Sequence, residues 1–528
     1  MANHTDADPV LSPLTQDAIS LAQLVSAHGL SHPNLSALVI DNKTISYGDL
    51  IKKTRQLASV LKKNNIQRLG ILASKSLEAY LGVLAAHWLG CAYVPLNPRY
   101  PLSRLKKIIE SAQLDGYIVD ALRKPMVENF VLTSSATPFK KITLEDIQAE
   151  DTISLAASKV EATDLAYIIF TSGSSGEPKG VPISFGNLGS FIKAVSARYP
   201  LTAKDRVSQF STLSFDVSVF DMGLAFGAGA ALYVVPDDTQ MAPAKFIYEN
   251  QLSVWLSVPS VINNMARLKI LRPNGFPTLK YSLFTGEALT LAQAQAWAVA
   301  APASQLENLY GPTEVTIDCL GQIYEPNENF YRDQVAIGKP FAKMIAALID
   351  VNEKFLPPGQ KGQLVIAGPQ VAEGYWHDNN LSAQKFKKLT HPDWGMQGWF
   401  LTGDYCYQDS HAVFHYINRL DSQAKILGNR VELEEIEFYF RAITECNEVA
   451  ACIVTVGDNP EIVVVTNFSK LDFSALVAQL AERLPKYMLP ARMLYRDALI
   501  YNTNGKLDRT ALAEWVKSIE SSTGESAC

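Results

Sequence analysis

A loop rich in glycine and hydroxyl side chains follows the apolar segment 167–170. Its polar members are Thr171, Ser172, Gly173, Ser174, Ser175, Gly176 and Lys179. Glycines let backbone N–H groups approach phosphate oxygens, hydroxyls add donors, and the lysine supplies a positive charge. The spacing differs from a Walker P-loop, because only two residues separate Gly176 from Lys179 and Val181 follows Gly180. The composition suits a polyphosphate site, although a loop of this kind is more often a plain turn.

The same stretch resembles the phosphate loop of the adenylate-forming superfamily, which includes acyl-CoA synthetases, luciferases and the adenylation domains of nonribosomal peptide synthetases. Eight further stretches expected of amino-acid adenylation domains appear in order from Tyr47 to Arg509. They are ISYGDL, GCAYVPLNPRYP, SFDVSVFD, NLYGPTEVT, GQLVIAGPQVAEGYW, FLTGD, NRLDSQAKILGNRVELEEIE and NGKLDR. The resemblance covers almost the whole chain, and an ordered series of this length is specific.

The resemblance implies that ATP and Mg²⁺ bind beside the loop. Tyr310 would stack on adenine, and Asp404 would accept the ribose hydroxyls. Glu314 is a hard oxygen ligand suited to Mg²⁺, and Thr313 lies beside it. Without the resemblance, these residues would be an ordinary half-buried tyrosine and turn carboxylates. The implied nucleotide-binding set is Thr171, Ser172, Gly173, Ser174, Ser175, Gly176, Lys179, Asn308, Tyr310, Gly311, Thr313, Asp404 and Arg419.

Lys506, in the turn 503–506, is the principal predicted catalytic residue, with Glu314 and Thr313 in support. A lone lysine in a turn is normally solvated. In adenylation, however, a carboxylate oxygen attacks the α-phosphorus of ATP, so two anions meet as pyrophosphate leaves. A positioned cation that contacts both anions stabilises that transition state without acid–base chemistry.

A small C-terminal domain carries Lys506 and must close on the nucleotide, because the other nucleotide motifs precede it. The resemblance implies a rotating domain with its hinge at Asp421 and with Gly428 placed to admit a pantetheine arm. Three residues depart from the family pattern. They are Asn418 and Glu434, each in place of a usual glycine, and Leu427, in place of a usual arginine. None removes a group that the chemistry requires, but the details of the hinge and of carrier contact depend on them.

Asp216, in SFDVSVFD, matches the aspartate that pairs with the substrate α-ammonium in amino-acid adenylation domains. A buried carboxylate requires a cation, which favours amino acids over fatty or aryl acids. The rest of the implied pocket is Val217, Phe220, Ser257, Leu283, Thr285, Gly286, Leu309, Ile317 and Asp318. This set resembles the serine pattern, with Phe220 in place of Trp, Ser257 in place of His and Thr285 in place of Ser. L-Serine is the predicted substrate; a diamino acid that pairs with Asp318, or alanine with water beside it, remains open.

The acceptor of the activated group is predicted to be a separate molecule. Only residues 510–528 follow Arg509, which leaves no room for a carrier domain. We therefore expect a free-standing ligase that works with a peptidyl carrier protein bearing phosphopantetheine, with coenzyme A or another thiol or amine as alternatives. Two other functions stay open: an acyl-CoA synthetase, and a non-catalytic nucleotide-binding relative. The presence of Lys506, Glu314, Asp404 and Asp216 argues against the second.

Apolar β-rich runs alternate with segments of helical period through the first part of the chain, which predicts parallel sheets covered by helices. Near residues 357–359 the pattern changes to short strands and turns, and after Asp421 it becomes compact α+β. With the resemblance, the predicted fold is α/β. A large N-terminal domain (residues 1–419) holds two related α/β sheets and a distorted β-barrel, and a small mobile α+β lid domain spans residues 420–528.

Composition excludes several other classes. A chain of 528 residues exceeds the size of a single core. Its net charge of −6, without a basic stripe, disfavours a nucleic-acid partner. The six cysteines lack zinc-site spacing, and neither a signal peptide nor an apolar run of about 20 residues is present. The sequence predicts a cytoplasmic enzyme without a membrane partner.

Overall fold

The computed structural model describes residues 14, 16–73, 75–120, 140–148, 155–173, 176–326, 330–426, 428–446, 448–456, 459–467, 472–501 and 507–523. Three predicted site residues, Ser174, Ser175 and Lys506, lie outside the described residues, as does Leu427.

The strands, in chain order, are β1 (Ser36–Ile40), β2 (Lys43–Ser46), β3 (Arg68–Leu72), β4 (Ala92–Pro95), β5 (Gly116–Val119), β6 (Lys140–Ile142), β7 (Leu165–Thr171), β8 (Lys179–Ser184), β9 (Arg206–Gln209), β10 (Ala231–Val234), β11 (Val254–Ser257), β12 (Tyr281–Phe284), β13 (Gln305–Tyr310), β14 (Leu320–Ile323), β15 (Lys339–Pro340), β16 (Ile345–Ile349), β17 (Phe355–Leu356), β18 (Lys361–Ala367), β19 (Phe386–His391), β20 (Gly395–Gln408), β21 (Phe414–Arg419), β22 (Gln423–Ile426), β23 (Asn429–Glu432), β24 (Val449–Val456), β25 (Asn459–Thr466) and β26 (Arg492–Tyr495). The α-helices are α1 (Leu21–Ser31), α2 (Tyr47–Lys63), α3 (Leu77–Trp88), α4 (Leu102–Ala112), α5 (Leu144–Gln148), α6 (Phe185–Arg198), α7 (Val217–Ala228), α8 (Ala244–Glu249), α9 (Ser260–Arg267), α10 (Leu291–Ala300), α11 (Asn379–Lys385), α12 (Leu433–Thr444), α13 (Phe473–Ala481) and α14 (Arg509–Thr523).

Two large sheets have parallel centres and antiparallel edges. The first has the order β15-β14-β13-β12-β11-β9-β10-β1-β2, with parallel pairing from β13 through to β1. The second has the order β6-β5-β3-β4-β7-β8, in which β8 alone is antiparallel to its neighbour. The main hydrophobic core joins both sheets to α1, α2, α3, α6 and α7. The predicted α/β fold with two related sheets is confirmed.

A third sheet of six strands is antiparallel throughout. Its order is β17-β16-β18-β20-β19, and β21 pairs with β20. In the part of the chain that the structure describes, this sheet is open, with β17 and β19 at its edges. It is the β unit that the sequence predicted as a distorted barrel.

The C-terminal segment, residues 420–523, begins with the hairpin β22–β23 and continues with the sheet β24-β25-β26. Alternate residues of β24 and β25 enter two cores on opposite faces of that sheet. One core contains side chains from α12 and α13, and the other contains side chains from α14. The C-terminal segment therefore has the compact arrangement of helices and strands that the sequence predicted after Asp421.

A buried ion pair fixes β13, the strand that leads into the predicted adenine and metal motif. Glu307 is fully buried and accepts from Nε of Arg198, at the end of α6, at 2.7 Å, and from the same guanidinium through Nη2. The hydroxyl of Tyr199 donates to its second oxygen at 2.9 Å. The pair therefore ties α6 to the strand that presents the site.

Replacing Arg198 with alanine should destabilise the protein by about 3–5 kcal/mol, because a buried carboxylate loses its charged partner. Denaturant unfolding of Arg198→Ala, compared with Lys245→Ala, measures this change. Lys245 forms only an exposed pair with Glu249, so that control should shift stability by less than about 1 kcal/mol. Equal effects in the two variants would contradict the structural role of the Arg198 pair.

The described cysteines, Cys91, Cys319, Cys406, Cys446 and Cys452, are free and buried. Among the described residues, no helix has both the length and the apolar character that crossing a bilayer demands.

Candidate active site

A cavity lies at the carboxyl ends of β7, β12 and β13, where the hairpin β22–β23 covers them. This is the edge at which open α/β sheets bind ligands. Twelve of the predicted residues line the cavity together: Thr171, Ser172, Asp216, Val217, Thr285, Gly286, Tyr310, Gly311, Thr313, Ile317, Asp404 and Arg419. Motifs far apart in the sequence therefore meet in one space.

Nine predicted residues are buried but do not line this cavity: Gly173, Gly176, Phe220, Ser257, Leu283, Asn308, Leu309, Glu314 and Asp318. The Phe220 ring packs against Phe191 and Tyr199, with centroids 5.2 and 6.2 Å away. The amide of Asn308 donates to the backbone carbonyls of residues 335 and 336, at 3.1 and 2.9 Å. Phe220 and Asn308 therefore support the wall of the cavity from behind.

The predicted phosphate loop is the turn of the hairpin β7–β8, closed at its base by the pairing of Thr171 with Lys179. Nζ of Lys179 donates to the carboxylate of Glu432 at 3.1 Å, and burial lowers the pKa of Lys179. Gly176 has a φ of +76°, and a Cβ there would lie 2.5 Å from the Phe438 ring. A side chain at residue 176 would therefore strain the loop and clash with α12.

Glu314, the predicted magnesium ligand, is fully buried and paired. Nη1 of Arg430 donates to both of its oxygens, at 3.0 and 2.8 Å, and the hydroxyl of Tyr375 donates at 2.7 Å. Burial opposes ionisation, but Arg430 and Lys179 outweigh it and lower the pKa of Glu314 to about 2. The carboxylate is therefore ionised, as a magnesium ligand must be.

Metal-ligating side chains are sparse around Glu314. The described residues contain no group of three or more His, Cys, Asp and Glu side chains that could hold an ion. A magnesium ion bound at Glu314 would therefore take most of its ligands from nucleotide phosphates and water, as Mg²⁺ commonly does.

The predicted ribose end of the site is a network of charged groups. Nη1 of Arg419 donates to Asp404 at 2.9 Å, and its Nε and Nη2 donate to Asp421 at 2.8 and 2.7 Å. The hydroxyl of Tyr310 donates to the other oxygen of Asp404. The predicted hinge residue Asp421 is thus connected, through Arg419, to the carboxylate predicted to bind ribose.

Asp216 stands at the start of α7 with its side chain in the cavity and only 8% of its surface exposed. Its Oδ2 has no hydrogen-bond partner among the described residues. Burial raises the pKa of Asp216, and Glu314 raises it further, while a hydrogen bond with Thr313 lowers it. A buried carboxylate oxygen without a partner is a suitable site for an ammonium group.

At the far end of the predicted substrate pocket, the hydroxyl of Thr285 donates to Oδ1 of Asp318 at 2.6 Å, and Oδ2 of Asp318 has no partner among the described residues. The Ser257 hydroxyl accepts from Nε1 of Trp255 at 2.9 Å and donates to the Val258 carbonyl at 3.3 Å. The Ser257 hydroxyl is therefore already engaged within the protein. Of these three residues, only Asp318 has a side-chain oxygen without any partner among the described residues.

Burial raises the pKa of Asp318 to about 7, above an unfolded value of about 3.9. Between these two values the folded protein keeps a proton that the unfolded chain releases, so stability falls as pH rises. We expect the stability of the wild type, relative to Asp318→Asn, to fall by on the order of 2–4 kcal/mol from pH 4 to pH 7. Denaturant unfolding of both proteins across this range measures the difference, and parallel curves would contradict the raised pKa.

Two cations of the hairpin β22–β23, Lys425 and Arg430, were not predicted as site residues, although both lie in the motif NRLDSQAKILGNRVELEEIE. The side chain of Lys425 projects into the cavity. Burial lowers its pKa, while the nearby carboxylates of Asp404 and Asp318 favour its charged form. The sequence feature that could have identified these two residues is their position on either side of Gly428. Side chains close to the turn of a hairpin lie together at one end of that hairpin.

A second cavity adjoins the first. The two share Tyr100, Phe215, Val217, Thr285, Gly286, Gly428 and Tyr487. Arg99 and Lys486 line the second cavity but not the first. Gly428, at the junction, has a φ of +77°, and a Cβ there would lie 2.5 Å from Val258, so a side chain would obstruct the passage.

The described neighbours of Lys506 lie elsewhere in the C-terminal segment. Tyr501 and Leu507 pair with each other, and Leu507 packs against the core formed with α14. Neither residue lines the two cavities. In this orientation the hairpin β22–β23 faces the predicted nucleotide site.

Residues 26–376, more than half of the chain, match the family model described as AMP-binding enzyme. The chain belongs to the AMP-binding enzyme family. One relative of this AMP-binding enzyme is named L-proline:L-prolyl-carrier protein ligase, from Pseudomonas fluorescens; it is 30% identical over 93% of this chain and 98% of its own length. Tyrocidine synthase 1 of Brevibacillus parabrevis is 29% identical over 94% of this chain.

The chain spans less than half of some relatives, including 45% of tyrocidine synthase 1. Among solved structures, the Vibrio cholerae adenylation domain AlmE, in complex with glycyl-adenosine-5'-phosphate, superposes with a TM-score of 0.85 at 27% identity. The match covers 98% of this chain and all of that domain. The AMP-binding enzyme described here therefore shares its architecture with an adenylation domain over its whole length.

Proposed function

We propose that this AMP-binding enzyme activates a small amino acid with ATP and transfers the aminoacyl group to the phosphopantetheine thiol of a separate carrier protein. One observation carries the proposal: a single cavity is lined by Asp216, by Thr171 and Ser172 of the predicted phosphate loop, and by the pair Asp404 and Arg419. An amino acid and a nucleotide can lie in it together, with the substrate carboxylate beside the α-phosphate.

In the first step, a carboxylate oxygen of the amino acid attacks the α-phosphorus of ATP. The new O–P bond forms, the bond from the α-phosphorus to the bridging oxygen breaks, and pyrophosphate leaves. Lys506 stabilises the charge that accumulates between the two anions. Magnesium, when bound, neutralises charge on the phosphates, and the ionised carboxylate of Glu314 suits it.

In the second step, the pantetheine sulfur attacks the carbonyl carbon of the adenylate. The C–S bond forms, the C–O bond to AMP breaks, AMP leaves with the electron pair, and the thiol proton passes to solvent. The second cavity supports this step, since it reaches the first at Gly428 and is lined by Arg99 and Lys486. Both cations suit the phosphate of an incoming prosthetic arm.

Residues 420–528 act as the lid domain in this proposal. The orientation described here presents the hairpin β22–β23 to the site, which matches the thiol-transfer step. Adenylation requires a second orientation that brings Lys506 to the α-phosphate, with the change absorbed near Asp421. The bidentate pair of Asp421 with Arg419 supports a hinge there, because it anchors one side of the turn.

The proposed substrate is L-serine. Asp318 does not line the cavity, but it accepts a hydrogen bond from Thr285, which does, and its second oxygen has no partner among the described residues. A short hydroxyl side chain that reaches this oxygen would donate to it. A short diamino acid would satisfy the same oxygen with an ammonium group, and it is the second candidate. The Ser257 hydroxyl is engaged within the protein, so it adds no support for a serine side chain.

Amino-acid-dependent exchange of pyrophosphate into ATP tests the proposal. The screen contains the common L-amino acids, D-alanine, D-serine, short diamino acids, and several fatty and aryl acids. A maximum at L-serine supports the whole proposal, and a maximum at another amino acid retains the reaction but replaces the substrate. If only acids without an amino group supported exchange, the result would indicate an acyl-CoA synthetase. If no acid supported exchange, the result would indicate a non-catalytic relative.

A further inference from the structure

Strand β23 lies directly on the two charged groups that the proposed function assigns to magnesium and phosphate. Arg430 donates to both oxygens of Glu314, at 3.0 and 2.8 Å. Two residues further on, Glu432 accepts from Nζ of Lys179 at 3.1 Å. Between them, the backbone of β23 also contacts the loop, because the hydroxyl of Ser172 donates to the Arg430 carbonyl at 3.0 Å.

The charges on β23 are arranged like those of magnesium pyrophosphate. A cation lies on the metal-binding carboxylate, and an anion lies on the phosphate-binding ammonium. All four side chains are shielded from solvent, with exposures of 18% for Arg430, 0% for Glu314, 12% for Lys179 and 8% for Glu432. Because like charges cannot share such buried partners, β23 and magnesium pyrophosphate exclude each other from these groups.

We propose that Arg430 and Glu432 form a latch that takes over Glu314 and Lys179 once magnesium pyrophosphate has left, and that this latch holds the C-terminal segment in its thiol-transfer orientation. The inference rests on the proposed function and specifies how the order of the two steps is enforced. No covalent bond changes in the latch itself. Magnesium pyrophosphate then opposes thiol transfer by binding only the unlatched orientation, which shifts the population toward it.

Orientation is measured first, on the full-length chain with bound AMP. Cysteines introduced at Val351 and Tyr495, which are 98% and 51% exposed, carry a fluorescence donor and acceptor. Titration with magnesium pyrophosphate should change energy transfer saturably in the wild type. In Arg430→Met, the orientation described here should lose at least tenfold in population before any pyrophosphate is added, and the titration should flatten.

Two further variants separate a latch from a general loss of structure. Exchanging the charges in the double variant Glu314→Arg with Arg430→Glu restores an ion pair at the same place, so energy transfer should return toward the wild-type value. This variant should not respond to magnesium pyrophosphate. Arg441→Met removes an arginine whose pair with Glu437 lies within α12, and it should titrate like the wild type. A wild-type titration curve in Arg430→Met would overturn the latch.

The ratio of two activities provides a second readout, because a smaller fraction of folded enzyme would lower both activities and leave their ratio unchanged. The ratio of aminoacyl transfer to pyrophosphate exchange should fall at least tenfold in Arg430→Met and stay constant in Arg441→Met. A constant ratio in Arg430→Met would also overturn the latch. Absence of amino-acid-dependent exchange in the wild type would overturn the proposed function instead, and the orientation titration with AMP and magnesium pyrophosphate would still decide whether the latch exists.

Discussion

Lys506→Ala should reduce amino-acid-dependent pyrophosphate exchange by roughly 10²- to 10³-fold, the usual cost of removing one group that stabilises charge in a transition state. Loss of the cation leaves the attacking carboxylate and the α-phosphate to repel each other. Transfer from a supplied aminoacyl-adenylate to a thiol should fall by less than about tenfold, because β22–β23, and neither Tyr501 nor Leu507, lines the site in the transfer orientation.

Comparison of the two half-reactions makes the Lys506 experiment specific. Lys245→Ala, which removes an exposed lysine far from the motifs, should leave both rates unchanged. Equal losses in exchange and transfer for Lys506→Ala would contradict a role confined to adenylation. Full exchange activity would remove Lys506 from the mechanism altogether.

Asp216→Asn should lower kcat/KM for amino-acid activation by roughly 10²- to 10³-fold, which corresponds to the loss of one partner in a buried ion pair. The substitution keeps the size of the side chain and removes its charge. The unpartnered Oδ2 is the atom that the α-ammonium would meet. Steady-state exchange with L-serine, or with the best substrate of the screen, measures the effect.

A substrate without the amino group tests the same pair from the other side. In the wild type, glyceric acid should be a far poorer substrate than serine; in Asp216→Asn the discrimination between the two should shrink at least tenfold. A purely structural role for Asp216 would lower both activities together and leave the discrimination intact. Asp238→Asn, at an exposed position, serves as the matched control.

Part of the convergence of motifs was predictable because each chemical residue follows a strand. Thr171 ends β7, Thr285 follows β12, and Tyr310 ends β13. The carboxyl ends of the parallel neighbours β12 and β13 lie at one edge of the nine-stranded sheet, so Thr285 and Tyr310 are expected together. Strand β7 belongs to the other large sheet, so the approach of Thr171 to them depends on how the two sheets pack. The order of strands and polar residues does not show whether a given side chain points toward the cavity or away from it.

Matching the pocket position by position does not reveal that the Ser257 hydroxyl already has a partner, whereas the geometry of strand β11 does. Trp255 and Ser257 are two residues apart in β11, so they lie on the same face of the sheet. The indole N–H then has the serine hydroxyl within reach, at 2.9 Å. The period of two along a strand is therefore enough to predict this hydrogen bond from the sequence, whereas matching the pocket position by position is not.

The contacts of Arg430 and Glu432 could not be predicted from the sequence. Glu314 precedes Arg430 by 116 residues, and Lys179 precedes Glu432 by 253 residues. Both contacts depend on the orientation of the C-terminal segment, which local patterns do not encode. Glu434, a departure from the family pattern, is exposed in the first turn of α12, where a carboxylate is favourable, and it touches neither pair.

The burial of the described cysteines has a chemical consequence for an enzyme that makes acylating agents. Burial raises the pKa of Cys91 and Cys452 to about 11, and it raises the pKa of Cys319 and Cys406 as well. These thiols stay protonated and out of reach, and the thiolate is the nucleophilic form. Under the proposed function, an aminoacyl-adenylate that escapes the site therefore meets no thiolate at these four residues.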